Sequence, residues 1–179
     1  MLTRMKIGNP QKYKLCLGKD RLHRIEGEDG NNLFTAPASQ KDKPKLYTVS
    51  SNAKLHYVGI TIQRMSTRLL SGLNATGEHG YHGYKLKQGN YVLHIWSFDN
   101  VPPDKDEAKE ELETIEAEVV LLCRILTGQW PESQNEIHFH QSESLHREMA
   151  LTIYQYLQSS KLRMGTGFNQ DIQKGARKE

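Results

Sequence analysis

The sequence predicts an α+β fold, a small three-stranded antiparallel sheet flanked by helices, and three observations predict it. Two short aromatic segments, Lys45–Val49 and His56–Thr61, are joined by polar, turn-forming residues and read as a β-hairpin. A third segment, Tyr91–Phe98, is almost continuously apolar, as expected of a strand covered on both faces. Helical stripes follow both the hairpin and the third strand, so the chain alternates sheet-forming and helix-forming stretches.

Composition sets the bounds. At 179 residues the chain has the length of one domain, and 36% hydrophobic residues suffice for a modest core. The net charge of +3 is compatible with a polyanionic partner without requiring one. Cys16 and Cys123 lack metal-type spacing and fit a reducing compartment. No stretch reads as a signal peptide or a membrane span, so the expectation is a cytoplasmic protein with no membrane partner.

The elements follow in order. Residues 1–44 are polar and punctuated by Gly8, Pro10, Gly18, Gly27, Gly30, Pro37 and Pro44, and read as an N-terminal arm with one short strand at Tyr13–Leu17. The core is expected over 45–140. In its hairpin, a pivot on Asn52 would set Tyr47 opposite Tyr57, both phenols on one face. Gly59, two residues on, would leave that face bare for a ligand.

Gln63–Leu73 reads as a helix with Met65, Leu69 and Leu73 inward, Arg64 and Arg68 on a neighbouring face, and Gly72 near its end. A loop rich in glycine and histidine spans Asn74–Asn90. After Val101, Pro102 and Pro103, Asp104 is a natural N-cap for a long helix reaching about Leu126, with Leu112, Ile115, Val119, Leu122 and Leu126 as its buried stripe. Thr127 and Gly128 end it. An extended piece at 136–140 precedes a C-terminal helix within 141–160, and the tail at 161–179 reads as basic and flexible.

Phenols, a bare glycine and a guanidinium on one surface suit a phosphodiester. In their order along the chain, these motifs resemble those of the GIY-YIG nucleases, named for two tyrosine motifs on the first two strands. Lys45, Leu46 and Tyr47 stand at the first motif, in place of its usual glycine and isoleucine, and Tyr57, Val58 and Gly59 stand at the second. Arg68 resembles the arginine of the family's first helix. Glu116, in the run Ile115, Glu116, Ala117, resembles its metal-binding glutamate, and Asn135 its later asparagine. The resemblance covers roughly residues 45–140.

It implies a β-β-α-β-α core and a Mg²⁺-dependent DNA endonuclease, with Mn²⁺ able to substitute and no small-molecule cofactor. Glu116 would hold the single metal and Arg68 would grip the phosphate. Tyr47 or Tyr57 would orient or deprotonate the attacking water, with His82 or His79 relaying the proton. Gly59, Arg64, Tyr81, Tyr84, Lys85, Asn135, His138 and His140 are the expected DNA contacts. Compactness favours a stand-alone, restriction-like bacterial or phage enzyme, and the oligomeric state stays open.

Four alternatives remain open at this point: Arg64 for Arg68, Glu118 for Glu116, His79 for His82, and which tyrosine serves as base. Two other functions compete. One is a nucleic-acid-binding module that keeps the fold without catalysis. The other is an interaction protein stabilised by zinc on His79, His82, His138 and His140, the last two sharing one face of an extended segment.

Overall fold

A computed structural model describes residues 4–19, 23–52, 54–77 and 83–175, with side chains as far as Ser160. Among these residues six strands and three helices follow one another: β1 (Lys6–Ile7), β2 (Gln11–Leu17), β3 (His23–Gly27), β4 (Lys45–Ser51), β5 (Lys54–Thr61), α1 (Met65–Asn74), β6 (Gly89–Asp99), α2 (Lys105–Thr127) and α3 (Ser144–Gly175). The fold is α+β with an antiparallel sheet, and the sheet has six strands where three were expected. Its order is β3-β2-β6-β4-β5, with β1 pairing to β6.

The extra strands come from the segment read as an arm. β2 pairs with β6 from Gln11 opposite Ile95 to Leu17 opposite Gly89, and β3 extends the sheet from β2. Strict alternation explains β2: Tyr13, Leu15 and Leu17 are buried, while Lys12, Lys14 and Cys16 face the other way. β3 has little apolar signal of its own beyond the buried Ile25, and pairing with β2 holds it in place.

Helices cover both faces of the sheet. On one, α1 buries Met65, Leu69 and Leu73 against Tyr47, Val49, Leu93, Ile95 and Leu15. On the other, α2 and α3 pack Leu112, Ile115, Val119, Met149 and Ile153 over Leu46, Val58, Trp96 and Phe98. β4 and β6 lie in the middle and are buried on both faces, which accounts for their apolar runs. Asp104 caps α2 as expected, its carboxylate accepting from the Asp106 and Glu107 amides. Gly128 ends the helix in the left-handed conformation. The buried stripe turns to Val120 and Cys123 at its end, leaving Leu126 exposed.

Lys45, which begins β4, is fully buried. Its ammonium donates to the carbonyls of Gln40 and Lys43 at 2.8 and 2.6 Å, and burial pulls it down to about 8. A lysine at the first tyrosine motif therefore serves to tie the preceding turn to the sheet.

β5 is an edge strand, and the chain after α2 covers part of it. Ser133 N–H donates to the His56 carbonyl at 2.8 Å, and the Val58 amide donates to the Gln134 side chain at 3.1 Å. Pairing of this kind shields backbone groups that would otherwise be open to another chain. The segment expected to be extended at 136–140 forms no strand. The C-terminal helix runs on to Gly175, through most of the stretch read as tail, whose side chains lie outside the described residues. Among the described residues, no helix is long and apolar enough to cross a membrane.

Candidate functional site

The hairpin register differs from the expected one. Tyr47 stands opposite Gly59, and Tyr57 opposite Val49. The turn pairs Ser51 with Lys54, and a bulge beside Val49 and Ser50 skips His56, so two small offsets add. Together they amount to two residues, an even slip, and both tyrosines stay on one face. Gly59 is accordingly not open ground. A Cβ there would lie 2.7 Å from the Tyr47 hydroxyl and 2.6 Å from Tyr57 Cε1, so the glycine makes room for the two rings.

Tyr47 is fully buried. Its hydroxyl accepts from Arg68 Nε at 2.9 Å and lies 2.9 Å from the Tyr84 hydroxyl. Tyr84 donates onward to the Arg68 carbonyl at 3.1 Å. Burial, reinforced by Tyr84, holds the Tyr47 phenol well above its usual range, and Arg68 only partly opposes this. Tyr47 is therefore a neutral phenol at physiological pH.

Tyr84 was expected to contact DNA, but its ring has no exposed surface. Gly72 explains the burial: a Cβ there would fall 2.2 Å from the Tyr84 ring, and Tyr84 N–H donates to the Gly72 carbonyl at 3.0 Å. The loop thus docks on α1 through a gap in the helix surface, and its tyrosine reaches under Arg68.

A cavity of about 840 Å³ opens beside this cluster, at the C-terminal end of β5 between α1 and α2. Tyr57, Arg68, Glu116, Glu113, Glu136 and His138 are among its polar lining residues. Glu118 is not among the lining residues. Arg64 lines a different pocket with His23, Arg24 and Phe34. Arg68 and Glu116 come from helices on opposite faces of the sheet and meet around its edge.

Glu116 is the most perturbed carboxyl of the cavity. Burial pushes it up to about 8, Glu113 and Glu136 push the same way, and Gln134 and Arg68 oppose. Gln134 Nε2 lies 3.4 Å from Glu116 Oε1 and 3.1 Å from the Glu136 carbonyl, while its oxygen holds the Val58 amide. Gln134 is thus the polar neighbour of Glu116 that sequence reasoning missed, although it precedes Asn135. Asn135 is turned away: it donates to the Gly83 and Ser133 carbonyls and accepts from Lys85 Nζ, joining the 83–85 loop to the strap over β5.

His138 and His140 do share one side of their segment, where both approach Glu113: His140 Nε2 at 2.9 Å and His138 Nδ1 at 3.9 Å. His138 also pairs with Glu136 at 3.0 Å. His79, Tyr81 and His82 lie outside the described residues. Among the described residues, no group of three or more histidine, cysteine, aspartate or glutamate side chains is placed to enclose a metal.

Chemically, the arrangement offers one guanidinium, one phenol and one carboxyl to whatever enters, with further acids behind them. A hard cation would find oxygen donors here, with Glu116 the most central. No family model, curated protein or solved structure matches the chain.

Proposed function

We propose that the cavity is the active site of a Mg²⁺-dependent DNA endonuclease. One observation carries the reading: Tyr57, Arg68 and Glu116, from β5, α1 and α2, line a single open cavity although the sequence keeps them far apart. These are three of the groups that the GIY-YIG resemblance singles out.

The donor set fits the metal. Mg²⁺ is usually held by one or two carboxylates together with phosphate oxygens and water, so one cavity carboxylate suffices. Glu116 would hold it, and the acids around Glu116 favour a cation at that place. When bound, the ion supplies Lewis-acid polarisation of the phosphoryl oxygens and a more acidic water.

The chain's own residues do the rest. Arg68, anchored through Nε by Tyr47, offers its guanidinium to a phosphoryl oxygen and offsets the charge that grows there. Tyr57 orients the attacking water. The water oxygen bonds to phosphorus as the bond to the leaving oxygen breaks. The proton lost by the water and the one gained by the leaving oxygen are exchanged with solvent at the cavity mouth. Tyr47 acts on Arg68, as a positioning residue. Within this reading the protein is a compact, restriction-like enzyme.

Nicking or cleavage of DNA with Mg²⁺ or Mn²⁺, abolished by EDTA and by Glu116→Ala or Arg68→Ala, is the expected result. Full activity in both variants would sink the assignment. Salt-sensitive binding that persists in both, with no cleavage under any metal, would instead support the non-catalytic binding module.

A further inference from the structure

The cavity is larger than a scissile phosphate and one ion require, and its second half is of a different character. From Glu116 the lining follows α2 back to its N-terminus at Asp104, a run of about 18 Å at the helical rise. Leu112, one turn from Glu116, begins an apolar wall that Ile60, Val101, Pro102 and Pro44 continue. Ile62, at the mouth, is 47% exposed.

Charge limits what can lie along that wall. The lining holds three cationic side chains, Arg68, Lys105 and Lys109, against six acidic ones. Lys109 is already engaged by Glu113 at 3.4 Å. A stretch of several phosphates would meet net repulsion here. A single phosphate at Arg68, followed by an uncharged flat group, would not. Carboxylates beside an apolar wall are also suited to accept hydrogen bonds from the exocyclic amino groups of adenine or cytosine.

We infer that the Ile60–Val101–Pro102–Leu112 wall is a subsite for one unpaired nucleobase adjoining the phosphate held by Arg68. The substrate strand must then be single or locally opened at the cleavage point, because a base within a duplex stack cannot enter. The inference rests on the nuclease reading and adds the state of the substrate to it.

Two measurements test it. In the first, kcat/KM with Mg²⁺ is compared for a paired duplex, the same duplex with a three-nucleotide mismatched bubble, and the single strand. Opened substrates are expected to react at least about ten-fold faster, since a mismatched or single-stranded base has the least unpairing to pay for. Val101→Trp, which fills the wall, should erase that preference. Equal or faster cleavage of the paired duplex would overturn the inference and leave the nuclease reading standing.

The second measurement needs no cleavage. Deoxyadenosine 5′-monophosphate is titrated to millimolar concentration while backbone amide shifts are followed, with 2-deoxyribose 5-phosphate as the control lacking a base. Saturable shifts at residues 60–62 and 101–112, given by the nucleotide alone and lost in Val101→Trp, support the subsite even if no DNA is cut. Shifts of equal size from the control, or none from either, overturn it. A folded Val101→Trp, checked by its melting temperature, is required for both comparisons.

Discussion

Arg68 and Tyr47 are joined through the guanidinium Nε, 2.9 Å from the phenol oxygen, in a closed set of hydrogen bonds that Tyr84 completes. The donors can all be assigned: Arg68 to Tyr47, Tyr47 to Tyr84, and Tyr84 to the Arg68 carbonyl. The arrangement locks a helix side chain to the central strand of the sheet. It also removes Tyr47 from proton transfer, since the phenol is buried and held neutral.

Tyr47→Phe is therefore expected to weaken the fold by about 1–2 kcal/mol, the usual consequence of leaving buried partners short of a hydrogen bond. Cleavage should fall about ten-fold through loss of Arg68 positioning, a rise of about 1.4 kcal/mol in the barrier. The pH–rate profile should keep its shape. Urea unfolding and a pH–rate series check both, and loss of one limb of the profile would make Tyr47 the base after all.

Gly72→Ala separates packing from helix propensity. Propensity alone favours alanine inside a helix by about 0.5–1 kcal/mol. The new Cβ, however, would fall 2.2 Å from the buried Tyr84 ring. Overpacking of this kind costs about 1–3 kcal/mol, so the expected net result is destabilisation. A lower urea midpoint, with amide-shift changes around Tyr84, is the expected observation; a higher midpoint would refute the close approach.

Glu116 makes stability fall as pH rises. Its carboxyl is raised to about 8 in the folded chain, chiefly by burial, against 4.5 as the ordinary value. Between these values the folded state holds a proton that the unfolded state has lost, so stability is fully present below 4.5 and declines through about 8. Glu116→Gln should flatten this slope in denaturation series from pH 5 to 8. Mg²⁺ binding should release protons near pH 7, visible by calorimetry in buffers of different ionisation enthalpy. Proton uptake, or no linkage at all, would place the ion elsewhere.

Gln134 opposes the rise at Glu116. Gln134→Ala should therefore increase the Mg²⁺ concentration needed for half-maximal activity at pH 7 several-fold, with a smaller change at saturating metal. Metal titrations at pH 7 and pH 9 distinguish this from a general loss of fold, because the difference should shrink at the higher pH, above the value of about 8 that Glu116 has in the intact chain.

His94 works in the opposite direction. It is buried in β6 against Trp96 and Tyr156, and neither ring nitrogen has a hydrogen-bond partner among the described residues. Burial, with Lys12 nearby, lowers it to about 4. The unfolded chain binds a proton at 6.5 that the folded chain refuses until about 4, so stability is lost as pH falls through that window. His94→Leu should be neutral or stabilising at pH 7 and should reduce the acid sensitivity between pH 6.5 and 4. A strongly destabilised variant at pH 7 would reveal a hydrogen bond that His94 makes.

Much of the fold was legible locally. The hairpin, the Met65, Leu69 and Leu73 stripe and the Asp104 cap each rest on residues close in sequence. β3 was not, because its stability comes from pairing with β2 and little in its own sequence marks it. Tyr57, Arg68 and Glu116 could be singled out by type and order, but not their meeting in one cavity, which depends on two helices reaching round a sheet edge. The roles of Tyr84 and Gln134 were hidden for the same reason. One depends on a missing side chain at Gly72, on an earlier helix. The other depends on a strap crossing back to the Val58 amide. Asn135 drew attention through its motif, while the neighbour beside it makes the contact with Glu116.

The way the cavity is closed bears on when in synthesis the site can be complete. Its residues lie on both sides of one sheet, and the strap that reaches Glu116 emerges only with Gln134. A growing chain that has made the hairpin and α1 holds two tyrosines and an arginine but no carboxyl partner for them. The three groups share one cavity only when α2 covers the far face and the strap lies along β5, so on the nuclease reading a half-made copy of this protein would be a silent one.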